Sequence, residues 1–349
     1  MSHSPEDHAA RIALGDALFR YVEGRPFDLD PGSLDPNELA FAAYRLIPRV
    51  LRGQSGIDTG ITFFGHELSS PLAVGAYAGD RILAETGIGP VADACQAMGL
   101  PLFVSEECVT PLREIVARHN RVWLQLRAAG PQSRAVDLIA QAARHGASGI
   151  VLTVLAPTHP RPGLQPGGFS IGREIAERGW STIGSPTGIA PLPSFPAWSW
   201  VDAEAVAATA RQLGLPVILK GILAPEDGER ALQGVADAIM VSNIGGRQFG
   251  RWAAPVNQLS AIRERCGRAA PILIDGGIRN GGDVVIARAL GADVAVMVRP
   301  VVLALAAGGS AAVRSLLAKV MDETAAVASW LGAATLDEID SEQITRLPV

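Results

Sequence analysis

Eight short apolar runs with amphipathic stretches between them constrain this chain more than any other feature. The runs are Pro71–Ala76, Leu100–Val104, Val122–Leu126, Gly149–Val154, Pro216–Lys220, Asp237–Val241, Pro271–Ile274 and Val294–Val298. Between most of them lie helix-patterned segments: Gly87–Met98, Ser133–Arg144, Ala203–Leu213, Pro225–Gln233, Val256–Cys266 and Gly282–Leu290. Many of these open on Pro, Asp or Ser and stop at Gly. Strand and helix alternating at this period predict a parallel sheet, and eight strands suit a closed (β/α)8 TIM barrel better than an open doubly wound sheet.

A barrel of this kind occupies 250 residues or more as one unit, so the 349 residues read as a single domain spanning 1–349. About 1–60 forms an N-terminal helical extension. A hairpin of Ile57–Thr62 and Glu67–Leu68, turned at Gly65-His66, is expected to cover the barrel's bottom. From Ala156 to Trp200 the alternation fails in a Pro- and Gly-rich stretch, which predicts a lid or mobile loop over 156–200 after the fourth strand.

Composition narrows the function classes. A net charge of −5, with Lys220 and Lys319 the only lysines and the arginines scattered, offers no basic stripe for nucleic acid. The longest apolar run near the C-terminus, Val301–Ala307, meets Gly308-Gly309 far short of a membrane span. The first eight residues carry neither a basic start nor an apolar stretch, so the expected location is the cytoplasm. Cys95, Cys108 and Cys266 lack metal-site spacing; the first and last read as helix residues, and Cys108 lies near the expected pocket.

In this fold, chemistry belongs at the C-terminal ends of the strands. Two of those ends break into Gly-rich turns carrying one arginine each: Ser242-Asn243-Ile244-Gly245-Gly246-Arg247-Gln248 and Asp275-Gly276-Gly277-Ile278-Arg279. Such turns present backbone N–H groups and a guanidinium to a phosphate or carboxylate. Lys220-Gly221 ends the strand-like run before them, and a lysine buried there requires an anionic partner.

With these motifs the chain, from about Tyr21 to about Asp340, resembles the FMN-dependent α-hydroxy acid oxidase and dehydrogenase family, which includes glycolate, lactate and hydroxymandelate oxidases. The resemblance implies FMN as cofactor. It sets Ala76, Tyr77 and Ala78 against the flavin edge and Ser105, Gln125 and Thr153 as hydrogen-bonding partners of the ring. Lys220 faces the ring's negative end, with Ser242 beside it, and Asp275, Gly276, Gly277, Arg279 and Arg299 hold the ribityl chain and phosphate. It also implies a homotetramer, or another homo-oligomer, acting on a small carboxylate substrate clamped by Arg247 and Tyr21.

The substrate side departs from the family. Its motif S-N-H-G-G-R-Q carries the histidine that takes the substrate's proton, and Ile244 stands there. The aspartate that orients this base aligns with Leu155, the family's tryptophan with Glu107, and its tyrosine with Arg127. Isoleucine accepts no proton, so the candidates for a replacement base are His159, Glu106 and Glu107, and Arg161 is a candidate second anion-binding arginine. His66, His119 and His145 are expected to cap helices or face solvent. The reading is an FMN oxidoreductase of an unusual hydroxy or amino acid in specialised metabolism. The alternatives are a non-redox enzyme resembling type II isopentenyl diphosphate isomerase, or a flavin-binding protein without turnover.

Overall fold

A computed structural model of the chain describes residues 5–30, 33–53, 56–157, 169–185 and 197–347. Eight parallel strands close on themselves: β1 (Leu72–Val74), β2 (Leu102–Ser105), β3 (Val122–Arg127), β4 (Gly149–Thr153), β5 (Val217–Ile222), β6 (Ala238–Ser242), β7 (Ile272–Asp275) and β8 (Val294–Met297). They stand in chain order, with β8 pairing back to β1. All eight expected strands form, with shifted ends. Pro71, Pro216 and Pro271 fall just outside because proline has no N–H to give the ladder, although their carbonyls still accept from Ala295, Ile150 and Ile239. At the other end Arg127, Lys220, Ser242 and Asp275 belong to the strands themselves, so their side chains start from fixed backbone.

Phe103, Trp123, Val151, Ile218, Met240 and Leu273 fill the barrel's interior. Gly149 makes room for this packing, since a Cβ there would stand 2.5 Å from Trp123 Cε3. The hairpin, Ile61–Phe63 with His66–Leu68, closes the bottom by stacking Phe63 and Phe64 at 6.1 and 5.1 Å from Trp123. It is shorter than the sequence predicts and turns one residue earlier, at Phe64-Gly65, where both residues have positive φ.

Helix α1 (Pro5–Glu23) bends at Gly15 and packs on the C-terminal helix Arg299–Trp330, which the sequence reading missed. That helix is the one, among the described residues, long and apolar enough to cross a membrane. It breaks at Gly309 and buries Val301, Leu305, Val313, Leu317 and Val320. Helix α2 (Pro36–Ala42) is N-capped by Asp35, whose Oδ1 accepts from the Asn37 N–H at 2.8 Å. Next to α2, Tyr44–Leu46 pairs antiparallel with Ile344–Arg346, joining the two ends of the described chain. Helices Leu112–Arg118 and Ile171–Glu177 were also unforeseen. The second interrupts the 156–200 segment expected to be a loop, Ser170 capping it through the Arg173 N–H. His119 caps the helix Leu112–Arg118, one of its two expected roles, and does not face solvent: it is buried, its Nδ1 lies 2.9 Å from Gln96 Oε1, and burial pushes its pKa down to about 4.

Candidate active site

A cavity of about 270 Å³ opens at the C-terminal ends of the strands, where this fold keeps its chemistry. Of the residues singled out from sequence, Tyr21, Ala76, Tyr77, Ala78, Ser105, Glu107, Gln125, Arg127 and Thr153 line it. So do Lys220, Arg247, Asp275, Gly276, Gly277, Arg279 and Arg299. Ser242 does not line it but touches two residues that do. His159 and Arg161 lie outside the described residues.

On the cavity's floor Lys220 is 7% exposed and Asp275 6%. The Lys220 ammonium pairs with Asp275 and donates to Ser242 Oγ at 3.2 Å, and Ser242 Oγ donates to Asp275 Oδ2 at 2.8 Å. Two buried charges survive here because each has the other and a hydroxyl between them. The strand bulges beside Lys220: Lys220 pairs with Met240 and Ile222 with Val241, leaving Gly221 unpaired at φ 109. A Cβ on Gly221 would lie 2.8 Å from the Leu155 nitrogen, so the bulge requires glycine.

At one end two guanidiniums face two carboxylates that the sequence reading did not foresee. Arg279 donates to Glu38 at 2.8 Å and reaches Asp35 at 3.3 Å; Arg299 pairs with Asp35 and donates to the Gly245 carbonyl. Burial pushes the Arg299 pKa down to about 10, against the opposing pull of Asp35. Arg299 is the first residue of the C-terminal helix, just past the end of the eighth strand. Asn37 of α2 exchanges two hydrogen bonds, 2.9 and 2.8 Å, with Asn243, which also receives the Gly246 N–H at 2.9 Å. Thus α2 fixes the Gly-rich turn. Asp35, Asn37 and Glu38 carried no motif signal, because their partners lie more than 200 positions away in the chain.

At the other end Arg247 stacks over the Tyr21 ring, 4.7 Å from its centroid, and donates to the Val22 carbonyl at 3.4 Å. Among the described residues no carboxylate pairs with it. Arg127 does have such partners, with Nη1 3.0 Å from Glu107 and Nε 3.4 Å from Glu106. Glu106, a candidate base from the sequence, is already engaged by the protein. It is buried, pairs with Arg134, and accepts the Arg127 N–H at 2.9 Å. Both of its oxygens serve the scaffold. Burial raises the Tyr21 pKa, with Arg247 lowering it, Glu107 raising it and Arg127 lowering it. Cys108 is fully buried, and burial holds its thiol well above the ordinary range, so it packs and does not react.

Ile244 lines the cavity at φ 56, left-handed backbone that a β-branched residue rarely adopts. Its N–H donates to Ser242 Oγ at 3.0 Å. Leu155 does not line the cavity.

The arrangement fits an FMN. Tyr77 Oη and Thr153 Oγ1 are buried without a hydrogen-bond partner among the described residues, and both residues line the cavity. Gly276 and Gly277, at φ 110 and 94, bring backbone close to it, and Arg279 and Arg299 supply the cations a phosphate needs.

Comparison with known proteins agrees. The signature of the FMN-dependent dehydrogenase family matches residues 10–346. The chain is 34% identical to a 4-hydroxymandelate oxidase of Amycolatopsis orientalis, over 91% of this chain and 90% of that protein. It is 30% identical to an L-lactate dehydrogenase of Alcaligenes faecalis, over 97% of each. A crystal structure of mandelate oxidase with (S)-4-hydroxymandelic acid superposes with a TM-score of 0.84 at 31% identity, covering 99% of this chain and 98% of that one. A variant of mandelate oxidase holding a C4a-OH-FMN adduct does so equally well, at 32% identity and over 99% of this chain and 100% of that one.

Proposed function

Because the chain belongs to the FMN-dependent dehydrogenase family, and is therefore an FMN oxidoreductase on a (β/α)8 barrel, we propose that it oxidises a carboxylate-bearing substrate without the family's usual base. Bound FMN supplies the two-electron acceptor. Around it, Lys220 offsets negative charge on the ring. Ala76, Tyr77 and Ala78 lie along its edge, Ser105, Gln125 and Thr153 offer polar contacts, and Arg279 and Arg299 hold the phosphate. We read the enzyme as a cytoplasmic homo-oligomer working on a small molecule.

The observation that carries the substrate reading is Arg247, a guanidinium at the cavity wall with no carboxylate on it among the described residues and with a tyrosine ring beneath it. A substrate carboxylate would complete it. The proton acceptor is the weak link. Ile244 stands where the family's motif has histidine, and general-base catalysis is worth roughly 10²–10⁴-fold. Glycolate, L-lactate and L-mandelate are therefore expected to reduce the flavin slowly, despite having the carboxylate that Arg247 wants. Anaerobic stopped-flow mixing of each acid with the oxidised protein tests this. Rapid bleaching would show that another group takes the proton, while a flavin unperturbed by every carboxylate tried would overturn the role of Arg247.

A further inference from the structure

The ends of β2 and β3 bring to the cavity a charge arrangement that a simple hydroxy acid does not use. Glu106 and Glu107 are adjacent in sequence and different in duty. Glu106 is buried and occupied, one oxygen on the Arg127 N–H and the other on Arg134. Glu107 lines the cavity with 20% of its side chain exposed, and Arg127, which it shares with Glu106, is its one ion-pair partner among the described residues. So a carboxylate only partly satisfied by the protein lines the same cavity as Arg247, a guanidinium that no carboxylate among the described residues pairs with. Tyr21 lines the same cavity, its ring beneath the Arg247 guanidinium.

We propose that the substrate is an α-amino acid or an N-substituted relative, its carboxylate on Arg247 and its ammonium on Glu107. This rests on the carboxylate reading above and adds the second functional group. The chemistry of the missing base favours it. Oxidising an alcohol to a carbonyl requires removal of a hydroxyl proton about as weakly acidic as that of water, whereas an α-ammonium is many orders of magnitude more acidic. A carboxylate base is thus mismatched far more severely with the alcohol than with the amine. A glutamate can serve the amine and not the alcohol. In the step, the ammonium passes one N–H proton to Glu107, and the Cα–H bond breaks, its hydrogen and two electrons leaving to the bound flavin. The nitrogen lone pair closes a C=N bond, giving an iminium that water can hydrolyse to the keto acid and ammonia.

Two probes sharing one skeleton, mandelate and 2-phenylglycine, separate the two functional groups. The FMN-loaded full chain is titrated with each while the flavin absorbance is followed, in wild type, E107Q and R127Q. In wild type, phenylglycine should perturb the spectrum saturably and then bleach it anaerobically. E107Q should weaken phenylglycine binding at least tenfold and leave mandelate unchanged or tighter, because a negative charge has gone. R127Q frees Glu107 and should shift phenylglycine the opposite way, which keeps the test decisive if E107Q does not fold. Mandelate binding without phenylglycine binding, or both probes moving together in either variant, would overturn the amine assignment alone. A flavin indifferent to both in wild type would overturn it together with the role of Arg247.

Discussion

The two ends of one cavity are built on different terms. Among the described residues, the charged groups we assign to the cofactor are paired within the protein: Lys220 with Asp275, Arg279 with Glu38 and Asp35, Arg299 with Asp35. Strand ends and a glycine bulge set their positions. Of the groups we assign to the substrate, Arg247 pairs with no carboxylate among the described residues, Glu107 shares its arginine, and Ile244 holds a strained backbone. A site that binds the same molecule throughout can be preorganised to completion. One that must accept and release a substrate keeps unfilled valences, and those valences report the ligand's chemistry.

The cofactor end should break hardest. Replacing Lys220 with Met leaves the Asp275 carboxylate buried with only Ser242 for company, and removing one partner of a buried pair costs about 3–5 kcal/mol. Urea unfolding of K220M should show a loss of that order, and K220M/D275N should recover more than half of it, since the stranded charge is gone. The flavin of K220M should also be harder to reduce, with a lower potential. A stability within 1 kcal/mol of wild type would mean that water reaches the pair and the floor is not the closed network described above.

Smaller is the effect expected at the phosphate end. Replacing Arg279 by Ala removes a charge-assisted contact worth about 1.5–3 kcal/mol, or roughly 10- to 150-fold in FMN affinity. The loss is bounded because Arg299 stays, and because Glu38 and Asp35 already draw on the Arg279 donors. FMN release followed by fluorescence measures it. Unchanged affinity would mean that these carboxylates hold Arg279 away from the phosphate.

The same contrast explains what could be read from the sequence. The eight strands, Lys220, and the Gly-rich turns at Ser242–Gln248 and Asp275–Arg279 are local patterns whose meaning depends on a few neighbouring residues. The exchanges at Ile244, Leu155, Glu107 and Arg127 were legible as departures from a motif. What was hidden depends on distant pairing: Asn37 with Asn243, Asp35 with two arginines, Glu106 with Arg134. A carboxylate beside a loop looks alike whether buried or solvated, which is why Glu106 and Glu107 could not be told apart. The helix Arg299–Trp330 was missed because Gly308-Gly309 reads as a stop, whereas Gly309 is a bend at φ 61 that lets the helix resume.

The smallest effect, and the finest test of the substrate end, is Ile244→His. Restoring the family's motif should do little for mandelate oxidation. An imidazole there needs a partner for its other ring nitrogen, and Leu155 offers no acceptor and lies off the cavity wall. Arg127 and Glu107 would still shape the pocket around it. Stability points the other way. Ile244 sits at φ 56, where a β-branched side chain costs about 1–3 kcal/mol and where histidine is several-fold more common. The lost apolar contact offsets part of that gain, so the melting temperature of I244H should hold or rise by about 1–3 °C. Should it fall by more than about 3 °C while mandelate turnover returns, isoleucine would be the residue the scaffold prefers, and the base would be all that separates this pocket from a hydroxy acid oxidase.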